Sequence, residues 1–230
     1  LALAGLCVAW SRGVYPILPD GTFTGVSNVS MSSAICNAHG SATGSTCNLT
    51  SDLPVLNENL NVAGWTFTGS GQIVLSGTTS LTGTATLSNG SAGTGAVFIQ
   101  DSGSYSIQGV TISGTSQIAA VSIVPTASAV ISFISISTNT FTNINYGVLR
   151  NGSVGTIYEM RISGNTFNTS QGDPIELNVI PNDRNILISK NNITNVNNTL
   201  SQPNWGIGIG VAGAGYSDSF PDGLTAQQIT

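Results

Sequence analysis

Three carboxylates and a buried-strand pattern sit close together late in the chain: Asp173, Glu176 and Asp183, within Gly172-Asp-Pro-Ile-Glu-Leu-Asn178 and Asn182-Asp183. Two carboxyl groups facing a groove are the minimum equipment for cleaving a glycosidic bond. One is held protonated and gives its proton to the leaving oxygen, and the other attacks or activates water. Their separation, about 5 Å for retention and about 6.5–9.5 Å for inversion, is not a property of sequence. A lyase would instead use a basic side chain as proton acceptor, for which Arg150, Arg161, Arg184 and Lys190 are the candidates.

Ten of the fifteen charged residues fall between Arg150 and Asp222, and none lies between Asp101 and Arg150. In a chain where only 7% of residues are charged, against about a quarter in ordinary soluble domains, that clustering marks one stretch of surface as different. It reads either as a solvated face or as a polar ligand groove. Alternation along Ile175-Glu-Leu177 turns Ile175 and Leu177 inward, with Glu176 and Asn178 outward. Arg150 is expected nearby on the preceding coil. The Asn204-Trp-Gly-Ile-Gly-Ile-Gly210 run of the next coil places Gly206, Gly208 and Gly210 outward as a bare floor for a sugar ring.

Other chemistries are absent or weak. The 230 residues include one His (His39) and three Cys (Cys7, Cys36, Cys47) without a Cys-x-x-Cys pair, which argues against zinc. Cys36 and Cys47 form either a small-loop disulfide or two buried thiols. The acidic trio lacks the spacing of a calcium loop, and no nucleotide-binding or Gly-x-Ser-x-Gly motif is present. No metal or cofactor is expected. A net charge of −5 with five basic residues opposes nucleic-acid binding. The charge-free stretch 117–137 has membrane-spanning length, but Pro125 and the alternation Val130, Ser132, Ile134, Ile136 read as strand. The opening run Leu1–Trp10 has the length of a signal-peptide core without a basic flank.

The elements that must position these residues repeat. Ile134-Ser-Ile-Ser-Thr-Asn-Thr-Phe141, Met160-Arg-Ile-Ser-Gly-Asn-Thr-Phe167 and Ile186-Leu-Ile-Ser-Lys-Asn-Asn-Ile193 superpose at 26 residues. Anchors at 62, 87, 112, 136, 162 and 188 continue the series. Each repeat holds a second alternating strand: Ile73–Leu75, Val97–Ile99, Val121–Ile123, Val148–Leu149, Ile175–Leu177 and, displaced by an insertion, Ile207–Ile209. A leucine-rich repeat fits the Asn spacing, but Ile/Val anchors and Ser/Thr/Gly-rich returns favour an all-β fold, a right-handed parallel β-helix of about 25 residues per coil. Asn139, Asn165 and Asn191 are expected to stack as a ladder. Residues 1–55 are expected to form an N-terminal cap or preceding segment, and 56–230 the coils, cut short at the C-terminus.

The segment Gly172–Asn178, Asn182-Asp183, Ile186–Ser189, Asn204–Gly213 and Tyr216 resembles bacteriophage tailspike depolymerases of the pectate-lyase-like β-helix superfamily. That resemblance implies a homotrimer, on a virion tail or secreted, that binds and cleaves bacterial capsular or colanic-type polysaccharide. It implies Glu176, Asp173 and Asp183 as catalytic carboxylates, and around them Arg150, Asn178, Arg184, Trp205, Gly208 and Tyr216 are expected as substrate contacts. A lyase and a non-cleaving adhesin on the same fold remain the alternatives.

Overall fold

The computed structural model describes residues 17–114, 117–179, 182–196 and 208–213. Of these residues 58% are strand and 4% helix, wound as a parallel β-solenoid. Each coil of roughly 25 residues returns its strands in the same direction, so backbone groups pair with the coil above and below, and alternate side chains point into a shared core.

Stacked inward columns fill that core, among them three that carry the repeat. The first stacks Leu53, Ile73, Val97, Val121, Val148, Ile175 and Ile209. The second stacks Val29, Leu60, Leu81, Ile107, Ile136, Ile162 and Ile188. The third stacks Cys47, Phe67, Leu87, Ile112, Phe141, Phe167 and Ile193. The rings of Phe141 and Phe167 lie 4.6 Å apart and nearly parallel.

The repeat anchors therefore divide between two columns. Residues 136, 162 and 188 stack as expected, but the coil before them contributes Ile107, whereas Leu87 and Ile112 belong with Phe141. Val62 is buried but lies in no strand. Two similar short strands flank one turn of each coil, as Ile107 and Ile112 flank Gly109 and Ile136 and Phe141 flank Asn139. A spacing close to the true coil length arises when one strand is matched to the other across a longer coil. The last strand also shifts: it runs Ile209–Gly213, with Ile209 opposite Ile175, whereas Gly206 and Ile207 of the expected strand lie outside the described residues.

The asparagine ladder forms. Asn139 Nδ2 donates to Asn165 Oδ1 at 3.1 Å and Asn165 Nδ2 to Asn191 Oδ1 at 2.9 Å. The same amides donate to the carbonyls of Ile107 and Ile136, and the carbonyl oxygens accept from the backbone N–H one coil earlier. These bonds satisfy turn groups that the core would otherwise bury unpaired.

At the N-terminal side, strands Ser27–Ser30 and Leu53–Leu56 already pair in parallel with later coils. A helix, Ser33–His39, starts where the Ser32 side chain accepts from Ile35 N. It precedes an antiparallel hairpin, Gly40–Thr43 with Thr46–Leu49, at the edge of one sheet. Cys36 of the helix and Cys47 of the hairpin are joined by a disulfide, which decides between the two readings of those thiols. Cys7 lies outside the described residues.

Candidate functional site

Strand Ile175–Val179 presents its residues as alternation requires: Ile175 and Leu177 are fully buried, whereas Glu176 and Asn178 face out and are half-buried. In the outward column Glu176 stands between Leu149 of the preceding coil and Gly210 of the following one. Asn178 Nδ2 donates to Glu176 Oε1 at 2.9 Å, which orients the carboxyl. Asp173, on the turn that enters the strand, is 5% exposed. A β-carbon on Gly210 would sit 2.9 Å from its Oδ2, so the bare α-carbon at 210 makes room for this carboxyl group. The glycine does more than supply a flat floor.

Tyr146 completes the cluster. A β-carbon on Gly172 would come within 3.1 Å of its ring. It packs with Ala119, Leu149 and Ile118 in a small apolar group separate from the main core. Burial pushes its hydroxyl up to about 12, and the charges of Glu176 and Asp173 add to that shift. The Glu176 carboxyl is itself raised above its ordinary value, chiefly by burial and further by Asp173, with the Asn178 hydrogen bond acting the other way. A carboxyl group that holds its proton at an outward-facing position, beside a second carboxyl and a phenol, is suited to proton donation. Nothing in the local sequence around Tyr146 marks it, because its nearness to Glu176 arises only from coil stacking.

Arg150 and Asp183 are brought together, but inside the solenoid. Arg150 continues the inward column Ile99, Ile123, Arg150, Leu177, Val211 and is fully buried. Its Nε donates to Asp183 Oδ2 at 3.0 Å, and its Nη atoms donate to the carbonyls of Asn151, Gly152 and Val154. Asp183 Oδ1 accepts from Ile157 N at 2.8 Å. The pair pins the loop between Arg150 and Ile157, with neither side chain facing a groove. Parity carries this signal, since Arg150 follows inward Val148 by two residues.

Arg184 is exposed, with its guanidinium 4.3 Å from the centre of the Tyr158 ring. Arg161 pairs with Glu159 and lies over Phe133. Gly208 is described, just ahead of the last strand, whereas Trp205 and Tyr216 lie outside the described residues. Among the described residues no three His, Cys, Asp or Glu side chains are grouped to hold a metal ion, and no helix is long and apolar enough to cross a membrane.

Residues 30–230 match the family described as Colanic acid biosynthesis WcaM. The chain belongs to the WcaM family. Within it, the sequence is 40% identical over 116 residues to the Colanic acid biosynthesis protein WcaM of Salmonella typhimurium, and 37% identical over 116 residues to that of Shigella flexneri. Each alignment covers 50% of this chain and 25% of the relative, so the chain aligns with about a quarter of the length of these curated relatives. No solved structure matches. The family and both relatives are named for colanic acid biosynthesis, where the sequence resembled tailspikes.

Proposed function

We propose that this WcaM-family chain carries a glycan-cleaving site that acts on bacterial exopolysaccharide as an endo-glycosidase. Glu176 donates a proton to the leaving oxygen, Asp173 supplies the second carboxylate, and Asn178 holds the Glu176 carboxyl in place. Tyr146 adds a hydroxyl that donates to Asp173 or to a sugar oxygen. The observation that carries this reading is the raised carboxyl of Glu176 at an outward position beside Asp173 and Tyr146. A lyase has less support, because Arg150 is spent in a buried ion pair and Arg184 lies against Tyr158.

The small exposure of Asp173 favours one competing reading, a non-cleaving glycan binder in which Glu176 only contacts sugar. Incubating the full-length protein with purified exopolysaccharides, and following chain length by size exclusion, separates the two. Shortened products that disappear in Glu176→Gln support the glycosidase, and intact polymer co-eluting with the protein supports the binder. Products carrying an ultraviolet-absorbing unsaturated sugar would identify a lyase.

The Cys36–Cys47 disulfide supports work outside the reducing cytoplasm, in keeping with a secreted or cell-surface place of action. The homotrimer and virion attachment implied by the tailspike resemblance are tested by the solution mass of the full-length protein and by its presence or absence on phage particles.

A further inference from the structure

A second polar site lies on earlier coils and another face. Residues Ile17–Phe23 form a tight turn closed by an antiparallel bridge between its ends, with Leu18 N donating to Thr22 O at 2.8 Å. This turn is strapped onto the outer face of the solenoid. Asn59 donates to the Phe23 carbonyl and accepts from Phe23 N, both at 2.9 Å. Gln108 Nε2 donates to Pro19 O at 2.9 Å. Between strap and sheet runs a groove of about 570 Å³, within the range of small-ligand sites. Its floor follows the outward column Ser30, Asn61, Thr82, Gln108. At a strand spacing of about 4.8 Å, the four strands give a floor about 14 Å long, enough for a short oligosaccharide.

The groove's hydrogen-bonding groups are already aimed. Asp20 Oδ1 accepts from the backbone N–H and hydroxyl of Thr22, bonds that hold its carboxyl below the ordinary value and leave Oδ2 as an acceptor. Asn28 Oδ1 is taken by Asn59 Nδ2, and Asn61 Oδ1 by Ala63 N. That leaves the NH₂ of each amide as a donor on exposed residues. A carboxylate oxygen open to sugar hydroxyls, in one groove with amide donors for sugar oxygens, suits a hydroxyl-rich sugar. No Lys, Arg or His is among the described residues that line the groove, so an anionic sugar would meet Asp20 without a compensating charge.

We infer that the groove between the Ile17–Phe23 strap and the Asn61–Gln108 floor binds a neutral oligosaccharide segment, at a site separate from Glu176. The test uses the full-length protein in a Glu176→Gln background, so that no glycan is consumed, with cello-, malto- and manno-hexaose as probes and hexagalacturonate as the anionic control. Binding is followed by titration calorimetry. Asp20→Asn keeps the Oδ1 acceptor for Thr22, and Asn61→Asp keeps the acceptor for Ala63, so both variants preserve the turns while changing what faces the groove. At least one neutral hexaose is expected to bind, with each variant weakening it about tenfold, the scale of one charge-assisted or directed hydrogen bond. Three outcomes would overturn the inference: no neutral hexaose binding, binding that neither variant weakens, or hexagalacturonate binding as tightly as the neutral probes. Polymer shortening by the Glu176-intact protein is a separate readout, so a failed groove and a failed cleavage site are told apart.

Discussion

Glu176 and Arg150 show how one column position decides the use of a charge. Glu176 faces out and is only half covered, so burial raises its carboxyl rather than forcing it into an ion pair. The folded state then holds this proton more tightly than the unfolded chain. Its contribution to stability is full below the ordinary value of 4.5 and is lost as pH rises through the raised folded value. Glu176→Gln removes that loss, so its melting temperature should equal or exceed that of the unsubstituted protein at neutral pH and decline less as pH rises above 4.5. Polymer cleavage by the unsubstituted protein should fall as pH rises through that raised value, as the donor loses its proton. Arg150 faces in, where an unpaired charge is not tolerated. Asp183→Ala strands it and should cost about 3–5 kcal/mol, read from urea unfolding. Arg150→Leu with Asp183→Asn places an apolar side chain in the Ile123–Leu177 gap and should recover most of that loss.

At the scale of an element, the turn between paired strands matters more than either strand. Asn165 is 1% exposed and serves four groups: it accepts from the N–H and amide of Asn139, and it donates to Ile136 O and Asn191 Oδ1. Asn165→Ala leaves these buried groups unpaired and should cost at least about 2 kcal/mol, since each unsatisfied buried group costs about 1–3 kcal/mol. Asn191 stands at the last described step of the ladder and is partly exposed, so Asn191→Ala should cost less. Urea midpoints of the two variants check the order. The strands themselves hold register because a one-residue slip would turn every inward aliphatic outward.

For the molecule as a whole, coils contact chiefly their neighbours, so an end that frays exposes the next coil. The Cys36–Cys47 link, 11 residues apart in sequence, ties the helix to the hairpin at one sheet edge. Replacing both cysteines with Ala should lower stability by about 2–3 kcal/mol, the scale expected for a loop this short. The loss should appear as a shift of the unfolding midpoint, reproduced in the unsubstituted protein by a reducing agent. The strap at Ile17–Phe23 sits on those same early coils, so groove binding should weaken along with that end of the solenoid.

The repeat of Ile, Ser, Asn and Phe was enough to specify parallel coils, the asparagine ladder and the outward placement of Glu176 and Asn178, because alternation and turn chemistry act over a few residues. The shift between anchor columns was not legible there, since two strands in each coil share one pattern and only pairing between coils tells them apart. The sequence reading set Arg150 beside the groove, although its parity with Val148 turns it inward, and its pairing with Asp183 joins residues 33 apart. The approach of Tyr146 to the carboxylates and the closure of the groove by the strap depend likewise on which coils stack. These were decided by the tertiary structure, because burial and desolvation are set by neighbours distant along the chain.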